Sequence, residues 1–272
     1  MATEFDPGYF REPYLTICRE YPGEAVYPQA QFRTEWGPIF HRGRLDGTAR
    51  VLVIGQDPAA SETFARRILV GAAGQRFQGF LQKLGAHRQY VMVNTFLYSV
   101  YGQSGGNAHA HDPAIAAYRH RWLDALMTDN AIQVVVALGT LADAAWHAWK
   151  ATPAGTAAHP TYAHVKHPTW PDSSSGGDPV KLEKAIKQLL KEWNTALTAL
   201  RPAFAPPEVP GPLVPYGDAF LPEELPQIPE FDLPAGLPAW MRGGVSWAAR
   251  VGTTAKEKRA TLQATVPQEF LP

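Results

Sequence analysis

The stretch VLVIGQDPAAS, residues 51–61, decides the fold. Its first four residues are apolar and mostly β-branched, without polar alternation, which is how a strand buried on both faces of a parallel sheet reads. Gly55-Gln56-Asp57-Pro58 then stops the strand, and small residues follow. YVMV at 90–93 and VVVAL at 134–138 have the same character, each ending at an Asn or Gly turn signal. Between the first two runs, residues 62–84 carry Phe64, Ile68, Phe77, Phe80, Leu81 and Leu84 at helical spacing, broken near 71–74. Between the second and third, residues 113–129 do the same with Ile115, Tyr118, Trp122, Leu123 and Leu126. A helix over 140–150, a short strand over 162–165 and a strongly amphipathic helix over 178–200 follow. This alternation predicts an α/β fold, a three-layer α/β/α sandwich with a central, mostly parallel four-stranded sheet.

The totals bound the rest. At 272 residues and 45% hydrophobic, the chain can bury one full-sized core, and its formal net charge of zero announces no global affinity for nucleic acid. One cysteine, Cys18, excludes an internal disulfide, a four-cysteine zinc site and an iron–sulfur cluster. His109 and His111, and His164 and His167, lack zinc-binding spacing, so no metal and no cofactor are expected. The first twenty residues lack the basic-then-apolar order of a signal peptide, and no 18-residue apolar run occurs. A cytoplasmic monomer without membrane association is expected.

Residues 1–200 are expected to form the α/β domain and 201–272 an extended, Pro-rich acidic tail. Between Pro202 and Trp240 lie eleven prolines and six acids and no Lys or Arg, which excludes regular helix or central strand. A disordered tail is the plain alternative. Phe204, Leu213, Tyr216, Phe220, Ile228, Phe231 and Trp240 favour a strap packed on the core, and an acidic cover over a binding groove is a further option. One short helix is expected near 254–264.

In parallel sheets, ligands sit outside the carboxyl ends of the strands. The residues there are Asp57, Asn94, Gly139 and His167. Alone, Asp57 reads as a helix cap. With a buried amide at Asn94 and an imidazole in HVKHPTWP, a carboxylate, an amide and an imidazole converge on one crevice. An amide reads a planar heterocycle, an imidazole supports charge on a leaving group, and a carboxylate faces developing positive charge. Glycosidic cleavage needs all three.

These motifs resemble those of the uracil-DNA glycosylase superfamily. GQDPA at 55–59 resembles the first motif GQDPY, VNTFLYSV at 93–100 the strand carrying the base-reading Asn, and HPTWP at 167–171 the HPSPL loop. GAAGQRFQGFLQKLG at 71–85 resembles the GRAGQ helix of the branch that carries an iron–sulfur cluster. The resemblance spans roughly residues 30–195. It implies that Asp57 activates water and stabilises an oxocarbenium-like sugar, that Asn94 and the Gln56 backbone hold the base edge, and that His167 donates to the base O2. It also implies DNA as partner and a base flipped out of the stack.

The departures are as informative. The cluster cysteines of the GRAGQ branch are missing, and packing of the tail is the candidate replacement. Where the first motif carries a Tyr that closes the pocket against a C5 substituent, this chain has Ala59, then Ala60 and Ser61. Either another ring, such as Phe64 or Tyr98, fills the gap, or the pocket admits 5-substituted pyrimidines. Leu69 stands where relatives often have Phe, so base stacking is expected to be weaker at Leu69 or to be supplied by Phe64. Trp170 is the candidate wedge for the vacated stack, with a structural Trp as the bland alternative. Ser104 and Gly105 in GQSGGN and Ser173 in SSSGG are candidate phosphate contacts, although such runs more often connect. Arg42 and Arg44, with Arg66 and Arg67, are candidates for a local positive groove.

The expected activity is that of a monofunctional DNA glycosylase, hydrolysing the N-glycosidic bond of a flipped pyrimidine and leaving an abasic site. No lysine lies in the three motifs, so lyase chemistry is not indicated, although Lys166 stands next to His167. The alternatives are excision of hydroxymethylated or glucosylated cytosine from phage DNA as antiviral defence, and a catalytically silent DNA-binding relative.

Overall fold

Successive residues of the central strands point to opposite faces, and in this chain both sets are apolar, so the sheet must be covered twice. The computed structural model describes residues 4–102, 106–243 and 247–271. Its strands are β1 (His41–Gly43), β2 (Val51–Gly55), β3 (Tyr90–Asn94), β4 (Val134–Leu138), β5 (Thr161–Val165), β6 (Ala248–Ala249) and β7 (Gln263–Ala264). Its helices are α1 (Tyr14–Arg19), α2 (Ala60–Ala65), α3 (Ala72–Leu84), α4 (Pro113–Asp129), α5 (Thr140–Lys150), α6 (Pro153–Ala157), α7 (Trp170–Ser175), α8 (Pro179–Leu200) and α9 (Ala255–Ala260).

The main sheet runs β1-β3-β2-β4-β5. The last four are mutually parallel, and β1 pairs antiparallel with β3, His41 opposite Val93. The sheet therefore has five strands rather than the four expected. The extra strand is three residues long and reads His-Arg-Gly, too short and too polar to register as an apolar run.

Leu52, Ile54, Val91, Val93, Val135 and Ala137 face a core shared with α1, α4 and α5. Val51, Val53, Met92, Val134 and Val136 face α3 and α8. The result is an α/β/α sandwich. Local signals set its helix ends: Asp112 and Asp178 accept the first free backbone N–H groups of α4 and α8, and each precedes a proline at the first helical position.

The Pro-rich segment lies against the α3–α8 face. Phe204 and Tyr216 join that core, and Tyr216 and Phe220 meet the edge of Trp193. Most of its acids are paired. Asp218 pairs with Lys187, Glu224 with Lys83, Glu230 with Arg242, and Glu208 accepts the backbone N–H groups of His87, Arg88 and Gln89. Asp232 is completely buried, 3.2 Å from Arg42 and accepting from the Tyr90 hydroxyl at 2.6 Å. Glu208, Glu224 and Asp232 are thereby held by the α/β body, which is not the arrangement of an acidic cover over a groove. Among the described residues no helix is long and apolar enough to cross a membrane.

Candidate active site

The strand register starts the site. Gly55 pairs with Asn94 at the carboxyl ends of β2 and β3, and a Cβ on Gly55 would stand 2.3 Å from the Asn94 amide oxygen, so only glycine leaves room for this amide. The turn after β2 is tied to the loop after β3. Thr95 donates to the Gly55 carbonyl from both its N–H and its hydroxyl, and Phe96 N–H donates to the Gln56 carbonyl, all at 2.9 Å. Val100 N–H donates to Asp57 Oδ2 at 3.0 Å.

Asp57, Asn94 and His167 line one cavity of 340 Å³ together with Gln56, Ala59 and Leu69. A wider space of 500 Å³ adjoins it, sharing Asp57, Ala59 and His167 and reaching Ser99, Val100, Trp170 and Ser173. Burial pushes the Asp57 carboxyl up to about 6, against the pull of the Val100 hydrogen bond. His167 moves the opposite way. Burial, then the nearby Arg76 guanidinium, pushes its imidazole down to about 4, so the ring is neutral at physiological pH. Thr169 N–H donates to His167 Nδ1 at 3.3 Å, and the Thr169 hydroxyl lies 3.0 Å from the same nitrogen. With Nδ1 an acceptor, the hydrogen-bond pattern assigns the ring proton to Nε2. Arg76 of α3 holds this loop by donating to the Pro168 carbonyl at 2.8 Å and pairing with Asp172.

Neither Phe64 nor Tyr98 lines the cavity. Phe64 packs on Trp247, ring centres 5.9 Å apart, and the buried Tyr98 donates to the Pro22 carbonyl and meets Tyr27 edge-on. Phe64 is thus corrected as a base-stacking candidate. Ala59 shares the inner cavity with Ala60, Ser61, Gly71, Ala72 and Ala73, and among the described residues no Phe, Tyr or Trp lines it.

Arg42 is also corrected. It is fully buried, donates to the Leu69 carbonyl and to Gln78 at 2.8 Å, and pairs with Asp232, so it supports the pocket wall from behind and faces no solvent. Arg44 hydrogen-bonds through its N–H to the Tyr90 carbonyl, at the start of β3 and so at the opposite end of the sheet from the cavity, with Asp46 as its ionic partner at 3.0 Å. Arg67 is buried against Asp6, and Arg66 donates to the carbonyls of Trp36 and Pro38. Trp170 and Ser173 stand at the outer space, with Lys166 over the Trp170 ring at 4.8 Å. Ser104 and Gly105 lie outside the described residues.

Several contributors escaped the sequence reading. Glu62 is buried in the wall, and its carboxylate accepts from Ala59 N–H at 3.0 Å and Val70 N–H at 3.1 Å, tying the first motif to the RILVG loop. The spacing Ala59-x-x-Glu62 at a helix start is the signal that could have shown it. Leu69 has φ +52°, and a Cβ on Gly74 would fall 1.6 Å from its carbonyl oxygen, so this turn needs glycine opposite it. Ala248, Ala249 and Arg250, from the far end of the chain, close one side.

The residues present do not fit an iron–sulfur cluster. Cys18 is buried in the α1 core with its thiol pushed up to about 12 by burial, and among the described residues no three His, Cys, Asp or Glu side chains cluster as metal ligands.

A family model described as the uracil DNA glycosylase superfamily matches residues 42–192, more than half of the chain. No curated protein matches it.

Proposed function

Because the chain belongs to the uracil DNA glycosylase superfamily, we propose that it is a monofunctional DNA glycosylase whose pocket is open beside the pyrimidine C5. The observation that carries this reading is the pair of opposed ionisations at one cavity: a carboxyl held near 6 and a neutral imidazole whose only acidic proton is on Nε2. Burial shifts the two groups in opposite directions, and at neutral pH it leaves an ionised carboxylate beside a neutral, proton-bearing imidazole, the division of roles that glycosidic cleavage uses.

In this mechanism the target nucleotide leaves the stack and its base enters the inner cavity. The N-glycosidic bond breaks with its electron pair moving onto the base. His167 Nε2–H donates to the base O2 as negative charge collects there, and Asn94 holds the polar edge of the ring. Ionised Asp57 faces the sugar cation and orients the water that adds to it. Lys166 is engaged by Glu192 and Trp170, which supports hydrolysis over Schiff-base chemistry.

A second reading within the same chemistry draws on the alanines around Ala59. A pocket of 340 Å³ with no ring at this position suits a pyrimidine bearing a C5 substituent, such as thymine or hydroxymethylated or glucosylated cytosine. Duplexes carrying uracil, mismatched thymine, and each modified cytosine, treated with the protein and then with alkali, test both. Breaks at uracil support the general reading, and breaks confined to modified cytosine the narrower one. Absence of breaks on every duplex, with DNA still bound, would point to a silent relative.

A further inference from the structure

Residues 247–264 lie beyond the segment matched to the family, yet they return to the mouth of the cavity. Arg250 lines both its inner and outer parts. The β6–β7 ladder, Ala248 opposite Ala264, folds the chain between them back on itself. Arg259 thereby reaches Tyr101, its guanidinium carbon 4.3 Å from the ring centre. Tyr101 adjoins Val100 and Gly102 on the outer wall.

A third arginine lies beneath. Arg33 is only 2% exposed, its guanidinium 4.2 Å from the Tyr101 ring centre and 4.4 Å from that of Trp36, and it donates to the Arg259 carbonyl at 3.3 Å. Its Nε is buried without a hydrogen-bond partner. Burial, then the charge of Arg250 and more weakly that of Arg259, lowers its proton affinity. The acid among them, Glu35, accepts from the Tyr101 hydroxyl at 2.8 Å. Besides Glu35, the acid in reach of these three cations is Asp57, which shares both cavities with Arg250, so the group keeps a net positive charge that an anion would offset. Arg250 and Arg259 are exposed and able to meet one.

We propose that Arg250 and Arg259, backed by the buried charge of Arg33, clamp the backbone phosphates of the DNA strand whose base occupies the cavity. The proposal rests on the glycosylase reading above. A guanidinium fork matches phosphate oxygens in pairs. A base seated in the inner cavity leaves its flanking phosphates at the outer one, where Arg250 stands, with Arg259 beside it on the Tyr101 ring. The clamp holds sequence-independent backbone and carries no base information.

The test is fluorescence anisotropy of the full-length protein with a labelled abasic-site duplex across a salt series. R250A/R259A is expected to weaken binding about tenfold or more at low salt. It is also expected to flatten the dependence of log affinity on log salt by about two, near 0.9 for each lost phosphate contact. R250K/R259K, which keeps both charges, is expected to restore most of the slope. K181A/K184A, on the exposed side of α8, is expected to leave it unchanged. Affinity and slope equal to the parent in R250A/R259A overturn the clamp while excision on the duplex panel leaves the glycosylase reading standing. A parent protein that neither binds nor cleaves any duplex overturns both.

Discussion

Arg42 and Asp232 meet at 3.2 Å with neither side chain exposed, one from the edge strand of the sheet and the other from the Pro-rich segment. Breaking a buried pair by removing one partner leaves an uncompensated charge and costs about 3–5 kcal/mol. D232A is therefore expected to lose stability on that scale in urea unfolding. Arg42 also holds the Leu69 carbonyl, so excision should fall further than the folded fraction alone explains. A loss under about 1 kcal/mol would contradict the assigned role.

Gly74 faces the Leu69 carbonyl so closely that an added methyl would require the backbone to move. G74A is expected to cost about 1–3 kcal/mol, the usual scale of overpacking. It should also displace the Leu69 wall, seen as a raised KM at a temperature where the variant is fully folded.

The Asp57 carboxyl, raised to about 6, must be ionised to face a sugar cation. The activity profile is expected to rise with unit slope through about pH 6. His167, lowered to about 4, adds no inflection near the ordinary imidazole value. D57N should lower the rate by about 10²–10³ and remove the acid limb. Stability runs the other way. A carboxyl whose pKa is raised by folding binds its proton more tightly in the native state, so its contribution declines as pH rises from 3.8 to about 6. D57N should be at least as stable as the parent at neutral pH, and thermal melts across this range check the sign.

Ala59 lines the inner cavity, where among the described residues no Phe, Tyr or Trp stands. A59Y places a ring there and is expected to reduce excision of C5-substituted pyrimidines about 10–200-fold relative to uracil, the discrimination a hydrophobic wall supplies. Equal loss on uracil and on its 5-substituted analogues would argue against Ala59 as the determinant.

The parallel strands and the long helices were legible because burial on both sheet faces leaves unbroken apolar runs, and because Asp-Pro pairs announce α4 and α8. Asp57, Asn94 and His167 could be placed together because parallel strands deliver their carboxyl ends to one edge. What stayed hidden depends on pairing across long stretches of chain. Arg42 looks like a surface charge until Asp232, 190 positions later, encloses it. Phe64 looks like a base-stacking ring until Trp247 covers it. Arg250 carries no local signal at all, since its position at the cavity follows from a ladder of two residues on each side.

Ala248, Ala249 and Arg250 form their wall on a ladder separate from the sheet that aims Asp57 and Asn94. Inheritance can act on the two parts independently. A lineage could lengthen, shorten or replace this terminal ribbon, changing one wall of the cavity, while every strand that positions Asp57 and Asn94 keeps its register. The wall and these strand ends are thus separable parts, joined at the cavity and built from stretches of chain more than 150 residues apart.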